Sequence, residues 1–381
     1  MKKFMFVLMT SILLFPFFVF AEENLAANAK SAILVENSTG KVLFEKNSNE
    51  KVAIASLTKM MSQIIILENI ESGNLSWDEI VKVSANAAGY GGTQIYLQPG
   101  EEMSVRDLFK GVSMASANDA VVALAERIAG TEANFVKMMM EKAKELGLKN
   151  TNFVNPTGLD EQGHYSTAYD LSIIARELLT HEQILEFSSL YEDYLRVDTP
   201  NKFWLVNTNK LVRFYEGADG LKTGFTDDAK YCMTVTAKRD NMRLIAIVLG
   251  EDVSKVRNAE VTELLDYGFN LYKVNLVKEK NEVVDKIKLE KSNLNEIEIV
   301  TESEISILSK KSEESRKYTE KIVLDDIKLP LKSGTVVGKL QLLDGSSLIG
   351  EYNLIVNQDI SKKNLFSLFF DNLKDIMIGA L

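Results

Sequence analysis

Ser56 and Lys59 stand three residues apart in Ala55-Ser56-Leu57-Thr58-Lys59-Met60. On a helix this spacing sets two side chains one turn apart on one face, where an amine reaches a hydroxyl. An alcohol becomes a useful nucleophile only when a base takes its proton. A lysine at the start of a buried helix is disfavoured as an ammonium by desolvation and by the positive end of the helix dipole, so it can serve as that base near neutral pH. The pair reads as nucleophile and base. The spacing alone carries little weight, because S-x-x-K turns up by chance roughly once or twice in a chain of this length, and Ser48-Asn49-Glu50-Lys51 repeats it. Context separates the two. Ser48 lies in the polar stretch 45–51, which composition reads as a solvated loop. Ser56 instead leads an apolar run containing Met60, Met61, Ile64, Ile65, Leu67 and Ile70, which ends at Gly73, a residue suited to a helix C-cap.

Residues 32–36 and 41–45 read as two strands of a hairpin turning at 37–40, just before the Ser56 helix. The segment 75–102 is polar and holds Gly89, Gly91 and Gly92, the composition of a loop bordering a site or of a plain surface connection. Ser104 with Asp107 marks a helix start that leads through Leu108, Phe109 and Val112 to Ser116. Helices follow over 120–128, over 132–146 with Gly147 behind it, and from Thr167 with Asp170 to Leu179. From Gly220 the period changes to strands at 221–226, 231–237 and 243–249, closed by an amphipathic helix over 255–272. Strands first, helices inserted, then strands and a helix predict an α+β fold, an antiparallel sheet flanked by helices plus a helical lobe, over a domain spanning 22–274. Residues 275–358 alternate apolar with Lys and Glu positions, as in Glu296-Ile297-Glu298-Ile299, and predict a small all-β domain. In the last segment, 359–381, Leu365, Phe366, Phe369, Phe370, Leu373 and Ile376 recur at helical spacing opposite Ser367, Asp371 and Lys374. That predicts an amphipathic helix, too short and too charged to span a bilayer, lying in the membrane interface.

A chain of 381 residues that is 46% hydrophobic with five prolines can bury a large core and predicts two domains. Lys2 and Lys3, an apolar run over 4–20 and the small residues Val19 and Ala21 read as a secretory signal over 1–21; the run is short for a transmembrane anchor. A net charge of −10 argues against a nucleic-acid partner. One cysteine, Cys232, leaves no intramolecular disulfide, and its alternating surroundings read as strand packing. His164 and His181, without an H-E-x-x-H motif or an elbow serine, argue against a zinc peptidase and a Ser-His-Asp triad. A lysine base survives this elimination, and no metal or organic cofactor is implied.

Two further motifs follow Ser56 and Lys59 in order: Ser116-Ala117-Asn118 and Lys222-Thr223-Gly224. S-x-x-K, S-D-N and K-T-G together mark penicillin-binding proteins and class A β-lactamases. Each has imitations here, in Ser72-Gly73-Asn74, Ser84-Ala85-Asn86 and Lys332-Ser333-Gly334. The residues around the motifs decide. Through Ala55 to Met60, Ser116-Ala117-Asn118-Asp119-Ala120, Asn155-Pro156-Thr157-Gly158-Leu159-Asp160 and Asp219 to Thr226, the sequence resembles the low-molecular-mass penicillin-binding proteins that are D-alanyl-D-alanine carboxypeptidases of serine peptidase type. The likeness covers 32–272 and extends less specifically over the β-domain and the tail. Alanine in the second motif and phenylalanine after the third depart from the pattern at positions that bear on substrate fine-tuning.

The resemblance implies the penicillin-binding transpeptidase and β-lactamase type of fold, and a set of roles. Ser56 would attack the carbonyl between the terminal D-alanines of a peptidoglycan stem peptide, Lys59 would take its proton, and an acyl-enzyme would form. Ser116 would relay a proton to the departing amine, tuned by the charge of Lys222, while Asn118 holds Lys59 and the substrate backbone. The main-chain N–H groups of Ser56 and Phe225 would receive the oxyanion. Thr223, Gly224, Phe225, Thr226 and Arg257 would bind substrate, with Thr223, Thr226 and Arg257 taking its free carboxylate. The implied partners are stem peptides ending in D-Ala-D-Ala, β-lactam antibiotics as covalent inhibitors, and the membrane surface; the implied location is the outer face of the bacterial cytoplasmic membrane. Two rivals remain at this stage. A β-lactamase would need a water-activating glutamate, and in Glu145-Leu146-Gly147-Leu148-Lys149-Asn150 the asparagine falls one residue late for E-x-x-L-N. A non-catalytic peptidoglycan-binding or antibiotic-sensing module would not need the intact serine, lysine and third motif.

Overall fold

The computed structural model describes residues 24–313 and 317–363, so the signal segment and the apolar part of the tail lie outside the described residues. β1 (Ser31–Glu36) and β2 (Val42–Lys46) form the expected hairpin. A tight turn over Ala55–Thr58 then feeds α1 (Lys59–Glu71), with Gly73 at φ +76° behind its last turn. The polar segment read as loop contains three short elements, β3 (Ile80–Lys82), α2 (Ala85–Ala88) and β4 (Glu102–Ser104), with β3 and β4 paired. Four-residue and three-residue elements give no periodic signal, which is why pattern reading passes over them.

α3 (Val105–Lys110) starts where expected, with Ser104 Oγ accepting the Asp107 N–H at 3.1 Å. It widens into a π turn over Gly111–Ala115 before α4 (Asn118–Ala129). α5 (Glu132–Glu145) and α6 (Ala168–Thr180) begin on Thr131 and Thr167, whose hydroxyls accept N–H groups three residues on. α7 (Ile184–Ser188), β5 (Glu192–Leu195), β6 (Phe203–Val206) and α8 (Leu211–Phe214) fill a stretch for which the sequence offered no reading. β7 (Ala218–Thr226), β8 (Lys230–Arg239), β9 (Met242–Glu251) and α9 (Ser254–Leu271) complete the expected α+β unit.

The sheet runs β2-β1-β9-β8-β7, all antiparallel. All six residues of β1 are buried because the sheet is covered on both faces. Ile33 and Val35 join Ile245, Ile247 and Leu249 in a core with α1, α4 and α6. Ala32 and Leu34 join Leu244, Ala246 and Val248 in a second core under α9, against Val261, Leu264, Leu265 and Phe269. Alternate side chains of one strand thus serve opposite layers. Residues 59–67 of α1 are buried on every side because the helix runs through the first core and not along its rim.

α9 passes directly into β10 (Tyr272–Lys278) of an all-β unit containing β11 (Val283–Ile287), β12 (Ile297–Thr301), β13 (Ile305–Lys310), β14 (Thr319–Leu324), β15 (Val336–Asp344) and β16 (Ser347–Val356). β10 pairs with β13, and the other five form a sheet in the order β11-β12-β16-β15-β14 over a core that includes Ile299, Leu340 and Leu354. Ile360 and Lys362 bridge back to Leu331 and Ser292, which leaves the amphipathic stretch to residues 364–381. No helix among the described residues is long and apolar enough to cross a membrane.

One connection is held by a close backbone approach. Asn155 Oδ1 accepts the N–H groups of Thr157 at 3.2 Å and Gly158 at 2.7 Å, folding residues 155–158 into a turn over the start of α1. Gly158 has φ +82°, and a Cβ there would lie 1.9 Å from Ala55 O and 2.8 Å from Thr58 Oγ1. Gly158→Ala should therefore destabilise the protein by about 2 kcal/mol or more, combining left-handed strain with overpacking against backbone. Urea unfolding measures this, and a stability unchanged from the parent would contradict the contact.

Candidate active site

Ser56 sits in the turn preceding α1, so its side chain faces out of the helix mouth while Lys59 behind it is fully buried. Lys59 Nζ lies 2.9 Å from Ser56 Oγ, 2.6 Å from Asn118 Oδ1 and 2.7 Å from Thr157 O. Burial, reinforced by the nearby positive charge of Lys222 and opposed by Asp119, holds the Lys59 amine well below the ordinary lysine range. Three oxygens surround the amine. Two of them, an amide oxygen and a peptide oxygen, only accept, so they take both N–H bonds of a neutral amine and leave its lone pair for the Ser56 hydroxyl proton.

The π turn ahead of α4 delivers the second motif. It leaves Ser116 in the left-handed region at φ +64°, with its Oγ buried and without a hydrogen-bond partner among the described residues. Asn118 begins α4; its backbone N–H donates to Thr93 O at 2.7 Å and its Nδ2 to Gly91 O at 2.7 Å. The glycine-rich segment therefore borders the site.

The third motif lies on β7, an edge strand beside the Ser56 turn. A Cβ on Gly224 would meet Ser56 N at 3.0 Å and Ala55 Cβ at 3.0 Å, so only glycine lets this strand pass so near the serine backbone. Phe225, the next residue, is exposed and stacks on Tyr231 at 4.4 Å between ring centres. Lys222 is buried and donates to Thr223 O at 2.9 Å; burial, with Arg257 adding to it, pushes its amine down to about 7. Arg257, in the first turn of α9, is buried too and donates to Cys232 O at 3.4 Å and to Asn258 Oδ1. Arg257 thus acts on Lys222 through the sheet, while Thr226 Oγ1 donates at 2.6 Å to Asp160 Oδ1. Two of the three members of the expected carboxylate pocket are engaged elsewhere: Thr226 with an internal carboxylate, Arg257 with β8 and its own helix.

Sequence reasoning assigned no role to Thr157, Asp160 or Asp119, although all three lie in the stretches that carried the resemblance. The turn signature Asn155-Pro156-Thr157-Gly158 could have drawn attention to the first two. His164 is buried against Thr58, 2.7 Å from Nε2 to Oγ1, and burial lowers it to about 4, so it is a neutral packing residue at this pH range. Cys232 is a buried strand residue whose thiol burial pushes up to about 11.

The imitations of the motifs have other duties. Ser48 is not solvated as composition suggested: it is buried, and its hydroxyl donates to Glu45 at 2.5 Å. Lys51 points over the Tyr165 ring, 4.8 Å from its centre. Ser72 ends α1, Ser84 caps α2, and Lys332 pairs with Asp359 on the surface. Glu145 pairs with Lys142, whose ammonium also meets Glu68 and Glu177.

Comparison with known proteins places these features. A family model described as D-alanyl-D-alanine carboxypeptidase matches residues 19–253, and one described as the penicillin-binding protein 5 C-terminal domain matches 272–362. The chain is 46% identical to the D-alanyl-D-alanine carboxypeptidase DacF of Bacillus subtilis, over 98% of this chain and 99% of that protein. It is 31% identical to DacA of Escherichia coli over 91% and 87% of the two chains. Among solved structures, penicillin-binding protein 5 of Haemophilus influenzae superposes with a TM-score of 0.70 at 29% identity, covering 88% of this chain and 98% of that one. Penicillin-binding protein D2 of Listeria monocytogenes in its ampicillin-bound form matches with a TM-score of 0.58 at 36% identity over 64% and 98%.

The charge on Lys222 should fade above neutrality, since its amine is held at about 7. Arg257→Met removes a cation that helps depress it, so Lys222 should keep its proton to higher pH. The alkaline limb of the pH profile for acylation of Ser56 by a penicillin should therefore move upward in this variant. A limb that stays in place would mean that Lys222 does not set it.

Proposed function

Because the chain belongs to the D-alanyl-D-alanine carboxypeptidase family, we propose that Ser56 is the residue acylated when a stem peptide loses its terminal D-alanine. The protein is a serine-type D-alanyl-D-alanine carboxypeptidase, and the β-lactamase and non-catalytic readings are not favoured. The observation that carries the residue assignment is the buried Lys59 amine, 2.9 Å from Ser56 Oγ with its other neighbours both acceptors.

In this reading Lys59 takes the hydroxyl proton as Ser56 attacks the penultimate D-alanine carbonyl, forming an ester and a tetrahedral oxyanion on the way. The N–H groups of Ser56 and Phe225, on the two segments that approach closely at Gly224, receive that oxyanion; one such donor is worth roughly 10²- to 10³-fold in rate. Ser116, buried with an unspent hydroxyl, gives its proton to the leaving amine and takes the one held by Lys59 in return, so that Lys59 is neutral again; the charge of Lys222 favours the transient Ser116 alkoxide. The substrate's carboxylate takes the Thr226 hydroxyl from Asp160, with Thr223 beside it and the field of Arg257 and Lys222 behind. Water then cleaves the ester with Lys59 as base again. A β-lactam enters by the same attack, and the ampicillin-bound relative supports that extension.

Ser56→Ala should abolish both penicillin labelling and D-alanine release with the fold intact, since one small hydroxyl carries little packing. Lys59→Ala should slow acylation by about 10²- to 10⁴-fold, the usual contribution of a general base. A covalent penicillin adduct on the Ser56→Ala protein would sink the assignment, and parent-like acylation of Lys59→Ala would require another base.

The location is also part of the proposal: an exported enzyme held at the outer face of the cytoplasmic membrane by residues 364–381. Leu365, Phe366, Phe369, Phe370 and Leu373 opposite Asp371 and Lys374 support an interfacial helix. Deleting 364–381 should release the protein from vesicles in a flotation assay while leaving turnover of soluble peptides unchanged; continued flotation would rule the tail out as the anchor.

A further inference from the structure

A cleft of about 840 Å³ opens between the segment 95–104 and the β5–β6 hairpin, edged by Tyr96, Phe203, Gln98, Glu102, Asp107 and Asn201. Its most prominent feature is the Tyr96 ring, 64% exposed on a residue at φ +58° and set edge-on to Phe203 at 5.9 Å. A bulky residue in the left-handed region is strained, and such strain persists only where the surroundings over-determine it. They do so here. The buried Asp119 carboxylate accepts the N–H of Ile95 at 3.1 Å and of Leu97 at 3.0 Å, fixing the backbone on both sides of Tyr96. Arg196 donates to Ile95 O at 3.0 Å and is itself paired with Glu101. Asp119 directly follows Asn118, and the Thr208 N–H beyond β6 donates to Met114 O in the turn that delivers Ser116. A rigid frame thus holds an exposed aromatic ring out from the wall of this cleft, on the segment that also carries Thr93, whose carbonyl holds Asn118.

We propose that this cleft binds the sugar chain to which the stem peptide is attached, with Tyr96 and Phe203 stacking on the C–H faces of amino-sugar rings. The inference rests on the carboxypeptidase reading for its substrate. The reach fits: Thr93, whose carbonyl holds Asn118, is three residues from Tyr96, at most about 11 Å of chain, while the four stem residues between the scissile bond and the sugar span at most about 14 Å. The lining fits as well. Glu102, Asp107, Gln98 and Asn201 offer acceptors to hydroxyl and amide N–H groups, and an acid-edged cleft disfavours the free carboxylates of the peptide itself. A neutral polyhydroxylated polymer suits both halves of this lining.

The test compares kcat/KM for a pentapeptide amide-linked to an amino-sugar disaccharide with that for the same pentapeptide alone. The parent should favour the sugar-linked substrate by about fivefold or more, the size of a stacking contact or two. Tyr96→Asn, which tolerates the left-handed backbone, and Phe203→Ala should each reduce that advantage below about twofold while leaving the free peptide and penicillin labelling unchanged. A parent without the advantage, or an advantage that survives both substitutions, overturns the proposal. So does an advantage that free pentapeptides reproduce according to whether the third residue's side-chain amine is free or acetylated, since the cleft would then take the peptide. Titration of the disaccharide into the Ser56→Ala protein decides the cleft without turnover: measurable binding weakened by Phe203→Ala supports it, and no binding refutes it. Absence of D-alanine release from any substrate would instead remove the carboxypeptidase reading.

Discussion

A lysine side chain without access to water is expensive unless it is neutral or fully paired, and the burial of Lys59 constrains the whole catalytic unit. Its amine reaches three oxygens from three distant parts of the chain: Ser56 at the helix mouth, Asn118 at the start of α4 and Thr157 in the turn folded by Asn155. None of these can move without leaving a buried polar group unsatisfied. The geometry that aims the amine at Ser56 is the same geometry that ties the helical lobe together.

A second constraint is electrostatic. Lys59, Lys222 and Arg257 are all buried, and burial lowers each of them; Lys222 adds to this at Lys59, as Arg257 does at Lys222. Asp119 relieves part of the cost at Lys59 while also fixing the backbone of the neighbouring segment. One carboxylate therefore links the charge balance of the site to the shape of the cleft beside it.

Much of this was legible in the sequence because the long elements carry clean periodicities and capped ends: Ser104 with Asp107, Thr167 with Asp170, and Gly73 behind α1 each mark the boundary observed. The three motifs were legible because their chemistry demands particular residue types in order. Arg257 was placed correctly on a helix after the last strand, but its direction was not readable, since spacing says nothing about which layer a side chain enters. Thr157 contributes a carbonyl, a group every residue owns, so no residue type could announce it. Ser48 misled for the opposite reason: a polar stretch was taken as solvated when local hydrogen bonding to Glu45 buries it. The hairpin of β5 and β6 was missed because four-residue strands are shorter than any pattern that could identify them.

The place of β1 in the sheet bears on how the molecule comes into being. β1 lies between β2 and β9, pairing Ser31 with Leu249 and Glu36 with Leu244 across more than two hundred residues of intervening chain. Such a pairing must close a very long loop before its contacts reward it, which makes it slow. A chain emerging from its N-terminus would present the β1–β2 hairpin, with the apolar run Ala32 to Val35 and one unpaired edge, long before β9 exists to cover it. Ser56 follows that hairpin immediately, yet the strand that completes its surroundings ends at Thr226. Ser56 is thus among the first residues made and among the last to have its surroundings complete, and any partial chain ending before β7 carries the serine without them.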